Sequence, residues 1–201
     1  MHWYESDVRA LENARASQPR NHPVFYGSSS IRLWDTLADD VDPAILNLGF
    51  GGSTLEACDY FFARLIPPVQ PSSVLLYAGD NDLGDGRTPD EVHHWFRSLL
   101  AKVDSTLGPI PFGFLSIKPS PARRHLLPHI SHVNQLVRKE LAAHPSAYFI
   151  DVYPAMLDAA GIPRAELFSA DGLHLSREGY RLWAMLLAPY RNRILASTTP
   201  V

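Results

Sequence analysis

Cysteine is nearly absent: the 201 residues hold one, Cys58. A lone thiol cannot close a disulfide within the chain, so the core alone must hold the fold together. Charge is thin as well, with 18 Lys and Arg against 21 Asp and Glu, and a net −3 gives no basic footprint for nucleic acid. Small neutral or polar partners fit better. No uninterrupted apolar run approaches the roughly 20 residues of a membrane span. The N-terminus "MHWYESDVRALENARA" has no basic stretch followed by an apolar one, so no secretory leader is read there. Repeats, low-complexity tracts and long linkers are missing too, and the proline-rich pieces "IPPVQPSS" and "KPSPAR" are only of loop length. These absences predict a soluble, cytoplasmic, single domain over residues 1–201 and leave its oligomeric state open.

What the chain does have is apolar content, 46% of its residues. A chain of this length can bury about 70% of its unfolded surface in one core. Five short apolar segments recur: "VFYG" at 24–27, "ILNLG" at 45–49, "SVLLYAG" at 73–79, "FGFLSI" at 112–117 and "AYFID" at 147–151. They run continuously instead of alternating, the pattern of parallel strands covered on both faces. Amphipathic helical patterns lie between them. Ser53 and Glu56 read as a capping box ahead of Leu55, Cys58, Phe62 and Leu65; Thr88, Pro89 and Glu91 open a helix carrying Val92, Trp95, Phe96, Leu99 and Val103. A third helix within 122–143 would bury Leu126, Ile130, Val133, Val137 and Leu141. A last one starts near Ser176 with Tyr180, Trp183, Leu187 and Tyr190, and Pro189 ends or kinks it. Strand and helix in alternation predict right-handed crossovers and a three-layer α/β/α sandwich on a five-stranded parallel sheet. Ligands of such sheets bind beyond the carboxyl ends of the strands.

The residues at those ends carry chemistry. "GSSS" follows the first strand, "GFGGS" the second and "GDND" the third, and "DGLH" lies after the fifth. A serine hydroxyl attacks only if a neutral imidazole takes its proton, and the imidazole needs its far nitrogen held. Ser29, His174 and Asp171 would supply that series. Backbone N–H groups of Ser29 and Gly52, with the Asn81 carboxamide, would receive the negative oxygen.

The four blocks, in this order over nearly the whole chain, resemble the signatures of the SGNH superfamily, also called GDSL esterases and lipases. The resemblance implies a flavodoxin-like fold, ester hydrolysis without a cofactor, and Ser29, Gly52, Asn81, Asp171 and His174 in the functional positions. Ser28 stands where the family has Asp, and Ser53 where an acidic residue follows the block II glycine. Two carboxylates that support these loops in the family are therefore absent.

Other readings of the same residues are blander. Serines 28 and 30 suit structural roles, Ser30 as a cap for the helix leading to Trp34. "GFGG" fails as a dinucleotide fingerprint, since Thr54 occupies its last position. His125, His129 and His132 share a helical spacing without a further ligand and read as a solvated face, with no metal; His93 and His94 follow the same rule. Trp34, Trp95 and Trp183 read as core. Lys118 and Arg123, or Arg124, fall near the rim of the site and are candidates to hold an anionic or hydroxyl-bearing part of the substrate. With no insertion that reads as a lid, the sequence favours a short-chain ester, such as an acetyl ester of a carbohydrate or other small molecule. The alternatives are a non-catalytic protein that binds a polar ligand on the same scaffold, or a lysophospholipase or thioesterase.

Overall fold

The computed structural model describes residues 1–15 and 20–196. It contains one parallel sheet of five strands: β1 (Pro23–Gly27), β2 (Leu46–Gly49), β3 (Ser73–Tyr77), β4 (Phe112–Leu115) and β5 (Ala147–Ile150), in the order β2-β1-β3-β4-β5. That is the flavodoxin-like order, which reverses direction beside β1. The helices are α1 (Glu5–Arg15), α2 (Ser29–Arg32), α3 (Leu37–Asp40), α4 (Leu55–Leu65), α5 (Asp80–Gly84), α6 (Pro89–Leu107), α7 (Leu127–Ala142), α8 (Arg177–Leu187) and α9 (Arg191–Ile194).

β1, β3 and β4 are buried at every position, and the edge strands β2 and β5 at all but Asn47 and Phe149, as their continuous apolar sequences require. Val24, Tyr26, Val74, Leu76, Phe112 and Phe114 face one core with α4, α6 and α7, while Phe25, Leu75, Tyr77, Leu115 and Ile150 face a second with Trp34, Trp183 and Leu187. The layers are therefore three, as the pattern predicts.

Three local expectations shift by small amounts. The cap of α4 is Thr54, whose hydroxyl accepts from Ala57 N–H at 3.0 Å, and not Ser53, which is fully buried. Ser30 lies inside α2 and does not cap it. Trp95 and Leu126 pack only at the margin of the first core, and Leu126 sits in a 3-10 turn before α7. The box at Thr88 and Glu91 is present with both of its reciprocal bonds, at 3.3 and 2.8 Å, which fixes the start of α6.

Candidate active site

The reversal of strand order brings three turns together. β1 lies between β2 and β3, so the residues after each leave the same sheet edge as neighbours. β1 ends at Gly27 with φ +136°, and a Cβ there would lie 1.9 Å from the Tyr77 carbonyl, so only glycine lets the chain turn out of the sheet. The next three residues are the serines. Ser28 and Ser30 turn inward, each 1% exposed, which leaves Ser29 as the hydroxyl that reaches the surface.

Ser29 meets the far end of the chain. Its Oγ is 3.2 Å from His174 Nε2, and His174 Nδ1 is 2.6 Å from Asp171 Oδ2. The second Asp171 oxygen accepts from the backbone N–H of Leu173 at 2.9 Å and of His174 at 3.0 Å. The bond from His174, then that from Leu173, draws the Asp171 carboxyl down to about 2. An ionised carboxylate only accepts, so Nδ1 carries the imidazole proton and Nε2 is left bare toward the serine. A hydroxyl in this setting can lose its proton as it attacks an acyl carbon.

The base sits just ahead of α8. Ser176 caps that helix, accepting from Gly179 N–H at 3.2 Å, and Tyr180 donates its hydroxyl to the Ser30 carbonyl at 3.1 Å. Tyr180 also stacks on Trp34, ring centroids 5.1 Å apart. The helix that follows His174 is thus fastened to the helix that starts at Ser29.

On the other side of Ser29 stand the candidate oxyanion donors. Gly52 adopts φ +67° with no protein atom within 4 Å of where a Cβ would be, so the residue is demanded by its conformation and opens toward free space. Neither the Ser29 nor the Gly52 N–H has an acceptor among the described residues. Asn81 Nδ2 donates to the Ser53 carbonyl at 3.0 Å, and its Oδ1 accepts from Arg123 at 2.9 Å. One N–H of the carboxamide remains free.

The glycine loop is braced from outside. Asp7 on α1 accepts from Gly51 N–H at 2.9 Å and from Arg32 at 3.0 Å, and the Tyr4 hydroxyl donates to the Gly52 carbonyl at 3.2 Å. The sequence reading missed this brace, although Glu5 and Asp7 ahead of Val8 and Leu11 carry the pattern of an acidic first turn on an amphipathic helix. A carboxylate thus supports the loop after all, supplied by a different element. A second comes from Asp82, whose two oxygens accept from the Leu55 N–H at the start of α4, 3.0 and 2.8 Å away. Burial outweighs those bonds and lifts the Asp82 carboxyl to about 6.

Two expectations about the rim need correction. Lys118 does not reach it: the residue is 1% exposed, and its ammonium lies 2.7 Å from Asp80 and 3.1 Å from the Tyr77 hydroxyl, because an unpaired buried cation would be costly. Arg123 points inward, to Asn81 and to Asp80 at 3.2 Å; it is Arg124 that is exposed. Burial would raise the Asp80 carboxyl, but Lys118 and Arg123 outweigh it and hold it below the ordinary value. His125, His129 and His132 are exposed, and no group of three metal-ligating side chains occurs among the described residues. No described helix is long and apolar enough to cross a membrane.

A three-layer parallel α/β protein with a serine, an imidazole and a carboxylate in series at the sheet's carboxyl edge has the form of a serine-dependent acyl hydrolase. The family is shown directly: the chain belongs to the GDSL-like Lipase/Acylhydrolase family, whose model matches residues 22–182. It is 28% identical over 213 residues to platelet-activating factor acetylhydrolase IB subunit alpha1 of Homo sapiens, covering 96% of this chain and 84% of that one. Its fold is similar to a GDSL-like lipase from Bacteroides thetaiotaomicron, with TM-score 0.78, 22% identity, and 96% and 100% of the two chains covered. It is also similar in fold to a mutant of an acetyl-xylooligosaccharide esterase from Geobacillus, with TM-score 0.67, 14% identity, and 86% and 95% covered.

Proposed function

We propose that residues 1–201 act as one domain, a serine esterase that removes short acyl groups, acetyl foremost, from a carbohydrate or another small hydroxyl-bearing molecule. The observation that carries the reading is the unbroken series Ser29 Oγ, His174 Nε2, His174 Nδ1, Asp171, with contacts of 3.2 and 2.6 Å. Ser29 attacks the ester carbonyl while His174 takes its proton, and the Ser29 and Gly52 N–H groups with Asn81 receive the negative charge on the carbonyl oxygen. The tetrahedral adduct collapses, His174 returns the proton to the leaving alcohol, and water repeats the attack on the acyl-serine. Asp171 holds the imidazole orientation and stays ionised throughout.

Two features support a small polar substrate. Two of the relatives, the acetylhydrolase and the acetyl-xylooligosaccharide esterase, are named for acetyl groups. Near the glycine loop, on a cleft of about 650 Å³ that Ser29 and His174 do not line, Tyr4, Thr54, Glu56, Asp85, Arg87 and Glu91 present groups that match hydroxyls better than a long acyl chain.

A fluorophosphonate label tests the reading. We expect stoichiometric modification mapping to Ser29, and loss of both labelling and acetyl-ester hydrolysis in a folded Ser29→Ala protein. A folded wild type that takes no label would instead be a ligand-binding protein on this scaffold. Rates that climb from acetyl through butyryl to long-chain esters would move the assignment to a lysophospholipase, and preference for acyl thioesters to a thioesterase.

A further inference from the structure

Asn81 presents a selection problem. Its carboxamide can act on a negative oxygen only with the NH₂ group forward, and the two orientations of an amide are nearly equal in shape. The surroundings decide. The Ser53 carbonyl can only accept, so the atom 3.0 Å from it is nitrogen, and a guanidinium can only donate, so the atom 2.9 Å from Arg123 is oxygen. Turning the amide over would break both bonds and set N–H against a cation. A positive charge on Oδ1 also draws electron density from the amide and makes its free N–H a stronger donor.

Arg123 is itself held in place. Its other terminal nitrogen lies 3.2 Å from Asp80, which Lys118 pins at 2.7 Å, and its side chain is 16% exposed. Gly84 supplies an independent sign that this position is built. Its backbone is helical and needs no glycine, yet a Cβ there would meet three guanidinium atoms of Arg123 at 2.8 to 2.9 Å. The missing side chain is the space in which the guanidinium lies flat. The same turn also touches the base side, since Ala122 N–H donates to the Gly172 carbonyl at 3.0 Å.

We propose that Arg123 is a positioning residue for the oxyanion site: seated on Gly84 and anchored by Asp80, it locks the Asn81 carboxamide with its free N–H toward the reacting carbonyl. The inference rests on the esterase reading above and assigns Arg123 to the transition state, not to substrate binding.

The test measures kcat and KM on p-nitrophenyl acetate for Arg123→Ala, Gly84→Ala, Asn81→Ala and the double variant Asn81→Ala with Arg123→Ala. Ser29→Ala and fluorophosphonate labelling run alongside. We expect Arg123→Ala to lower kcat by about 10- to 100-fold with KM within about 3-fold, a part of the roughly 10²- to 10³-fold attached to a whole oxyanion donor. In the double variant the arginine change should cost nothing beyond the loss already caused by Asn81→Ala. Gly84→Ala should lower kcat in the same direction while the protein stays folded, because alanine suits the helix and the new methyl displaces the guanidinium from its seat without touching backbone. That variant decides the matter if Arg123→Ala does not fold. Unchanged kcat in folded variants, a rise in KM alone, or losses that add in the double variant each overturn the proposal. A Ser29→Ala protein that keeps its turnover, or a wild type that takes no label, overturns the esterase reading and the proposal with it.

Discussion

The two halves of the site are built on different principles. Ser29, Gly52 and Asn81 sit just after β1, β2 and β3, three adjacent strands, and the ground beneath them contains a fully enclosed ion pair, Lys118 with Asp80, side chains 1% and 6% exposed. His174 and Asp171 sit in a long segment between β5 and α8, with side chains 34% and 49% exposed. That segment holds itself together through neighbours in sequence: Gly172 N–H to the Ser169 carbonyl, Ser169 N–H to the His174 carbonyl, and Asp171 accepting from the two residues that follow Gly172. Most of the receiving side is fixed by the protein interior, with α1 bracing its glycine loop, and the proton-handling side is fixed by a surface turn. Damage to the first should therefore cost stability together with activity, and damage to the second activity alone.

Four substitutions measure how far that contrast holds. The largest effect belongs to the surface turn: Asp171→Asn should lower kcat roughly 10³-fold, since Nδ1 loses its carboxylate, while Tm moves by no more than about 2 °C. A fall in Tm as large as that of an interior variant would erase the distinction. Next, Lys118→Met strips the ammonium from Asp80 and leaves a buried carboxylate with Arg123 alone; thermal denaturation should show a loss of about 3 kcal/mol, near 10 °C in Tm. An unchanged Tm would mean that the interior charges do not anchor the receiving side.

The third concerns pH. The Asp82 carboxyl of the unfolded chain gives up its proton near the ordinary 3.8, and the folded one holds it to about 6. Between those values the folded state binds the extra proton, so this group makes stability fall as pH rises. Asp82→Asn keeps an oxygen for the Leu55 N–H and cannot ionise. Denaturant melts at pH 4 and pH 7 should show the decline flattened by about 2 kcal/mol relative to wild type. A wild-type slope preserved in the variant would assign the effect elsewhere. The smallest effect is that of Asp7→Ala, which removes the Gly51 and Arg32 contacts of a carboxylate one-third exposed. It should cost about 1 kcal/mol and several-fold in kcat, a mild version of the interior behaviour.

Most of the frame was legible because it rests on local pattern. Continuous apolar runs marked the five strands, and hydroxyl, proline and glutamate at Thr88, Pro89 and Glu91 marked the start of α6 to the residue. At α4 two adjacent hydroxyls competed, and the backbone turn at Gly52 decided for Thr54 by carrying Ser53 into the interior. The four blocks at the strand ends led to the hydroxyl, the imidazole and the carboxylate that meet in the fold. What escaped was pairing across the sheet. Nothing near Lys118 in the sequence shows Asp80 on the neighbouring strand's exit, so a lysine beside prolines and arginines read as surface charge. Arg123 and Arg124 look alike in sequence, and only the bend in the 121–126 turn sends one inward. Tyr4 and Asp7 went unread because the loop they hold is more than forty positions away.

The family match begins at residue 22, whereas the contacts on Gly51 and Gly52 come from residues 4 and 7. A chain trimmed to the matched stretch would retain the serine, the histidine and the aspartate, and would lose the strut that keeps the glycine turn from drifting. Boundaries drawn by similarity alone would cut away a working part of the machine while leaving every reactive atom in place.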